Sequence, residues 1–267
     1  MGFYILCYYI EMDWATRNRM KYFVFLILLV LGILASFIIP ILNRPPTCSD
    51  NKKNGSEVGV DCGGACQYLC ASQVTEPQIV WTRALQSAPK RVVLVTYLKN
   101  QNKTAGIQSA SYKYTVYDNA GKIIAIKEGA TQVTSNGNIA IFAGPIDIGE
   151  RKIQSTLFEW TSPHYFSTLS EKTLSSNIET VNTKLELAST TTSLTATLRN
   201  TTRLEYEKVP VVAILYDVDG NALLASRTIL DSLSPEDRAD VFFSWSVLPT
   251  SNVARIEILP YFEEFKK

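Results

Sequence analysis

Four of the chain's five cysteines, Cys48, Cys62, Cys66 and Cys70, fall within 23 residues, spaced C-x13-C-x3-C-x3-C. Thiols this close can hold zinc as thiolates in a reducing compartment or pair as disulfides in an oxidising one. Structural zinc sites usually show two C-x2-C to C-x4-C knuckles. Here the first cysteine stands alone and no histidine is near. Two disulfides are therefore expected, with all three pairings open. Cys7, far upstream, reads as a reduced thiol.

Between the first two cysteines, Asp50, Asn54, Glu57 and Asp61 occupy positions 1, 5, 8 and 12 of a twelve-residue stretch with Gly55 at position 6. That spacing echoes a calcium loop of the EF-hand kind, whose glycine permits a sharp turn. Lys52 stands at position 3, where a carboxylate belongs, and position 12 is Asp rather than a bidentate Glu. The competing expectation is a set of tight turns built by Asn, Gly and Asp. Calcium is the one cofactor the sequence suggests, and only through these four residues.

Catalytic machinery is sparse. The single histidine, His164, sits beside Pro163 in TSPHYFST, a loop context. Without a second histidine, the common triads and histidine-rich metal sites cannot be assembled. No G-x-S-x-G, Walker A or G-x-G-x-x-G string occurs. Acidic residues are scattered, so a carboxylate pair between domains is the one enzymatic arrangement left as a rival to a binding role. The net charge is +1, which gives no long-range field for nucleic acid.

The elements that carry these residues begin with an anchor. Phe23 to Leu42, FVFLILLVLGILASFIIPIL, is twenty residues without a charge, enough for a hydrocarbon core of roughly 30 Å. It exceeds the usual apolar run of a signal peptide, and PILNRPPTC lacks a small-x-small cleavage pattern. Residues 22–42 are expected to cross the plasma membrane once and stay uncleaved. Arg17, Arg19 and Lys21 precede the span and Arg44 alone follows closely, which places the N-terminus in the cytoplasm. The rest then lies outside, where thiols oxidise. FYILCYYI, near the start, is too short to span; an interfacial stretch and a true start at Met12 or Met20 rather than Met1 are equal readings of it.

The cysteine segment itself has few apolar residues (Val58, Val60, Tyr68 and Leu69), so covalent staples must hold it. Its string CSDNKKNGSEVGVDCGGAC resembles a recurring C-x-D-G-x-x-N-x-x-E-T-x-V-D-C-G-G-x-C motif of short cysteine-rich modules in bacterial surface proteins. Asn51 replaces the usual glycine. The resemblance covers under a tenth of the chain, and implies an extracytoplasmic spacer or adhesion-like module in a cell envelope, with no reaction attached.

Beyond it the chain repeats. LKN at 98–100 aligns with LRN at 198–200, and YTVYDNAGKII with AILYDVDGNALL, so that Tyr117, Asp118 and Gly121 match Tyr216, Asp217 and Gly220. One single-residue gap accounts for the register, as an internal duplication would. Each half alternates: Leu194, Ala196 and Leu198 against Thr195, Thr197 and Arg199; Val241, Phe243, Trp245 and Val247 against Phe242, Ser244 and Ser246; Tyr112, Tyr114 and Val116 on one side of SYKYTVYD. Trp160 and Trp245 are expected in cores, and HisTyrPhe at 164–166 at an interdomain contact. In Tyr-Asp-x-x-Gly the aspartate is expected to cap a turn and the glycine to supply a positive φ.

The paired signature Asn100, Tyr117, Asp118, Gly121 and Asn200, Tyr216, Asp217, Gly220 resembles the FxLYD family of small immunoglobulin-like sandwiches, kin to the late-embryogenesis-abundant type 2 fold. LSPED at 233–237 strengthens it in the second half, while the first half offers Asn136, Gly137 and Asn138 there. The resemblance implies appended envelope modules with a scaffold or binding role.

The expected chain is therefore mainly β. It comprises a cytoplasmic 1–21, a membrane helix 22–42, a linker 43–47, a cysteine-rich module 48–70, a linker 71–78, a first immunoglobulin-like antiparallel sandwich 79–165, a linker 166–177 and a second sandwich 178–267. The expected partners are the lipid bilayer and an envelope protein or polymer, with no nucleic acid. Asn-x-Ser/Thr occurs at Asn54, Asn102 and Asn200, glycan acceptors if the host were eukaryotic.

Overall fold

A computed structural model describes residues 14–42, 48–162, 165–168 and 177–261. Cys7 and His164 lie outside the described residues, as do the alternative start Met12 and the linker 43–47. The chain divides into two compact units, Met1–Asp50 and Asn51–Lys267.

The first unit holds one helix, α1 (Trp14–Leu42), of 29 residues, about 43 Å at 1.5 Å per residue. It starts about two turns before the apolar run, carrying the basic residues on the same helix. Within it Asn18–Phe37 has a mean hydropathy of 2.3, and none of that stretch is buried. Phe23, Leu28, Leu31 and Phe37 are all exposed. A helix of this hydropathy, unburied among the described residues, has the length and composition of a membrane span or an N-terminal signal sequence.

The second unit is built of antiparallel strands in two sets. The first set is β1 (Gln78–Ala88), β2 (Arg91–Asn100), β3 (Ala105–Asp118), β4 (Ile123–Val133), β5 (Gly137–Asp147), β6 (Ile153–Trp160) and β7 (Phe166–Thr168). The second is β8 (Ile178–Leu187), β9 (Thr192–Asn200), β10 (Tyr206–Tyr216), β11 (Ala222–Leu233), β12 (Arg238–Trp245) and β13 (Arg255–Pro260). Sheet β1-β2-β5 pairs with sheet β4-β3-β6 in the first half; β8-β9-β12 pairs with β11-β10-β13 in the second. Strand for strand the order is the same, which is the structural form of the sequence repeat.

Period-two alternation explains each sandwich. Leu94, Leu98, Ile107, Tyr112, Tyr114, Val116, Ile139, Ile141 and Phe158 fill the first core. Leu194, Ala196, Leu198, Val211, Leu215, Val241, Phe243 and Trp245 fill the second. Tyr114 is buried yet donates its hydroxyl to the Ile141 carbonyl at 2.9 Å, and the Trp245 indole N–H reaches the Ala225 carbonyl at 2.8 Å. Each aromatic thus gains burial without an orphaned polar atom.

Two boundaries need correction. The stretch 166–177 is not all linker, because Phe166–Thr168 forms β7 and pairs with Ala105–Ile107. Phe166 belongs to the first core rather than to an interdomain contact. Three residues are too few for a period to show. The stretch 71–78 likewise carries a 3-10 turn at Ala71–Gln73, and Gln78 opens β1.

The halves are not beads on a string. The outer face of β1-β2-β5 packs on the outer face of β11-β10-β13 through a third apolar layer: Leu85, Val93, Val95, Tyr97 and Ala140 against Val212, Ile214, Tyr216, Ala222 and Ala225. The central strands β2 and β10 are therefore buried on both faces, and the four sheets form one stack with an apolar cluster in each of its three interlayers.

Candidate functional site

The cysteine module folds as turns around a covalent pin. Cys62 and Cys70 are joined (S–S 2.04 Å, Cα–Cα 5.0 Å), and Cys48 and Cys66 are disulfide-bonded as well. Oxidised sulfurs carry no thiolate, so the zinc alternative loses its ligands. The glycines of D-C-G-G have a local cause. Gly63 and Gly64 have φ of 74° and 62°, and a Cβ on Gly64 would lie 1.9 Å from the Ser56 carbonyl oxygen. A Cβ on Gly59 would stand 2.9 Å from both sulfurs of the Cys62–Cys70 bridge. Asn51, in place of the usual glycine, has φ 58°, a conformation that asparagine tolerates better than most residues.

The four calcium candidates are distributed among these turns. Asn54 donates its backbone N–H to the Glu57 carboxylate at 3.1 Å, and Glu57 returns its own N–H to the Asn54 carbonyl at 3.2 Å. Asp61 accepts the Asn51 N–H at 2.8 Å, Gly55 supplies φ 57°, and Asp50 is exposed. Glu57 and Asp61 thus each satisfy a backbone donor, which is the work of turn residues.

The module is bonded to the first sandwich. Leu69 donates its N–H to the Phe166 carbonyl at 2.8 Å, Tyr68 bridges Ser167, and the rings of Tyr68 and Tyr165 lie 5.2 Å apart. Leu69 and Val74 pack against the first core. Asn102 holds Thr75 twice, accepting its N–H at 2.8 Å and donating to its carbonyl at 2.6 Å.

The repeated signature residues do structural work at equivalent places. Asn100 is buried and donates to the carbonyls of Ala105 (2.9 Å) and Thr134 (2.8 Å). Asn200 is buried and donates to those of Leu204 (2.6 Å), Leu233 (3.3 Å) and Ser234 (3.0 Å). Each closes the end of its sandwich by tying the strand that follows it and the end of the fourth strand of its half. The role of these asparagines was not assigned from the sequence, although their recurrence 100 residues apart was the available signal. Asn102 and Asn200 spend their side-chain amides on these bonds, so their Asn-x-Thr strings mark structural carboxamides.

Asp118 accepts the N–H groups of Ala120 (2.9 Å) and Lys122 (2.8 Å). Asp217 accepts those of Asp219 (2.9 Å) and Asn221 (2.7 Å). Gly121 and Gly220 follow with φ 74° and 79°. The Asn221 amide and its neighbours hold the Asp217 carboxyl below the usual range. Tyr117 is half-exposed on the outer face, whereas Tyr216 is buried between the sandwiches.

A polar constellation in that layer surrounds Tyr216. Trp81 stacks on Tyr97 (5.4 Å) and meets Tyr216 edge-on (6.5 Å). The Tyr97 hydroxyl donates to Glu257 at 2.6 Å. Arg255 pairs with the other Glu257 oxygen at 2.9 Å and lies 3.7 Å over the Tyr216 ring. Burial, then the Glu257 contact, pushes the Tyr97 phenol up, and burial raises that of Tyr216. Both stay protonated at neutral pH. Glu257, with both oxygens engaged, is placed to pin one half to the other. A separate depression of about 310 Å³ is lined by Gln108, Ser109, Ala130, Thr131, Gln132 and Tyr261, amides and hydroxyls for the most part.

No family model matches the chain, and comparison with curated proteins gives no match. Among solved structures it is similar to red sea bream transglutaminase (11% identity, TM-score 0.22, 72% of this chain and 32% of that one). It is also similar to a β-glucuronidase of glycoside hydrolase family 2 (13% identity, TM-score 0.23, 78% of this chain and 26% of that one). The chain spans about a third or less of the length of these proteins.

Proposed function

We propose that the chain is a single-pass membrane protein of the cell envelope that holds a rigid, non-catalytic binding body outside the cytoplasm. The observation that carries this reading is the unburied twenty-residue apolar stretch Asn18–Phe37, followed from Cys48 onward by a module whose described cysteines are all oxidised. Disulfides persist on the oxidising side of a membrane. The basic residues Arg17, Arg19 and Lys21 before the span support the same direction. The D-C-G-G-x-C and FxLYD-like resemblances support a surface module and immunoglobulin-like sandwiches that recognise an envelope protein or polymer.

A binding role is favoured over a carboxylate enzyme by the chemistry of the internal contact. Its carboxylate, Glu257, is held by Tyr97 and Arg255, and the phenols beside it are kept neutral. The turn aspartates Asp118 and Asp217 are engaged by backbone amides.

Reporter fusions test the topology. Alkaline phosphatase fused after Lys267 is expected to be active and a fluorescent cytoplasmic reporter dark; the opposite pattern would overturn the orientation. For the partner, residues 48–267 are the appropriate bait against envelope extract, because the module is bonded to the first sandwich.

A further inference from the structure

The two halves differ where the β3-β4 pair and its twin, β10-β11, begin. In the second half, between the pairs Tyr206–Leu233 and Val209–Leu230, Glu207 and Lys208 stand against Ser232 and Asp231, two residues against two. Lys208 and Asp231 close that place as an ion pair at 2.8 Å. In the first half, between the pairs Ile107–Val133 and Ala110–Thr131, Gln108 and Ser109 stand against Gln132 alone. This is a β-bulge, which re-aims side chains and breaks the ladder locally. Ile107 and Ala110 are buried on either side of it, while Gln108 and Ser109 are both exposed.

The bulge leaves hydrogen-bonding groups open. The side chains of Gln108, Ser109 and Gln132 make no hydrogen bond among the described residues, and Thr131 donates its hydroxyl to the Gln132 carbonyl at 3.1 Å. The second half adds an aromatic ring to the same place. Tyr261 follows β13, donates its N–H to the Pro210 carbonyl at 3.0 Å and packs against the layer between the sandwiches. With Ala130 these residues line the depression of about 310 Å³. Small-molecule sites run from about 300 to 1,000 Å³, so this one has the size for a single ring and its substituents.

The lining selects the chemistry. None of its six residues is ionised, so it offers an ionic ligand no counter-charge. Each glutamine carboxamide presents a donor and an acceptor side by side, and a hydroxyl serves as either. Tyr261 adds an apolar ring face with a polar tip. A depression of this size lacks the row of pockets that an extended peptide fills with alternate side chains.

We infer that this depression is a saccharide subsite that takes a neutral pyranose bearing an acetamido group, an N-acetylhexosamine unit of an envelope polymer. Gln108 and Gln132 match the acetamido N–H and C=O, Ala130 its methyl group, Ser109 and Thr131 the ring hydroxyls, and Tyr261 the C–H face of the sugar. The bulge belongs to one sandwich and Tyr261 to the other, so the subsite is complete only while the halves are docked. The inference rests on the binding role proposed above and names the partner's chemistry.

The test uses the oxidised full chain in a detergent without a sugar headgroup, titrated with chitotetraose and followed by saturation transfer to its acetyl methyl protons. Saturable binding is expected. Gln108→Ala and Tyr261→Ala are each expected to weaken it about tenfold, the loss of one well-placed contact, and Lys208→Ala, at the ion-paired place in the second half, is expected to leave it unchanged. Gln108 is exposed, so Gln108→Ala with an unaltered melting temperature decides the matter even where Tyr261→Ala disturbs the fold. No saturable binding, or binding indifferent to Gln108→Ala, overturns the inference. Equal binding of cellotetraose overturns the acetamido assignment, and displacement of chitotetraose by N-acetyl-tetraalanine amide makes the depression a peptide site instead. An envelope extract that still yields a partner while chitotetraose fails strikes this subsite and leaves the binding role standing.

Discussion

At the scale of single residues, the signature that recurs in both halves is structural chemistry. Asn200 supplies a donor to three carbonyls in a place with no solvent, so Asn200→Ala strands all three, and the expected cost is about 3 kcal/mol by urea unfolding. Asn200→Asp is expected to cost more, because a buried carboxylate would face those same oxygens. Two glycines separate steric from conformational need. Gly220 has open space around its missing Cβ and only a positive φ, so Gly220→Ala is expected to cost about 1 kcal/mol. Gly64→Ala drives a methyl into the Ser56 carbonyl and is expected to abolish correct pairing of the module, read as scrambled bridges by peptide mapping. The sequence pointed to the turn aspartates and glycines because their chemistry is local. The burial of Asn100 and Asn200 was not visible, since an asparagine before a turn looks the same whether it faces water or three strand ends.

At the scale of elements, the module and the first sandwich behave as one piece. The bridge closes a short loop, for which about 2.5 kcal/mol is expected from loop entropy. Reduction is therefore expected to release hydrogen-exchange protection at Leu69 while the centre of β3 keeps its own; chelator is expected to change neither, because Glu57 and Asp61 already serve backbone donors. Calcium-dependent protection of residues 50–61 would revive the loop as a metal site. Strand alternation, the repeat and the apolar helix were all readable, because each is a periodic or compositional signal carried by many residues. β7 escaped because three residues carry no period, and because its pairing to β3 is long-range.

At the scale of the whole second unit, the contact between the sandwiches was missed, yet it left a trace. VVLVTYL in β2 and VVAILY in β10 are nearly continuous apolar runs, whereas their counterparts SLTATL and YKYTVY alternate. A strand apolar on both sides is covered on both sides. Ile214 is wholly buried in that third layer. Ile214→Glu is expected to split a single calorimetric transition of residues 48–267 into two, each near that of an isolated sandwich, without disturbing the bridges. A variant that still melts in one step would argue that the halves cooperate through something other than this layer.

Because the two faces in that layer belong to different sheets of twin sandwiches, neither half can substitute for the other, and each is a fitted complement of the other. The molecule is in effect a receptor and its ligand joined by a tether. Expressed as two polypeptides, 1–168 and 169–267 behind an export signal, the pieces are expected to find each other outside the cytoplasm, and halves of a luciferase fused to their C-termini to regain light. Ile214→Glu in the second piece would then leave the reporter dark, turning an architectural contact into a signal that can be read in a living cell.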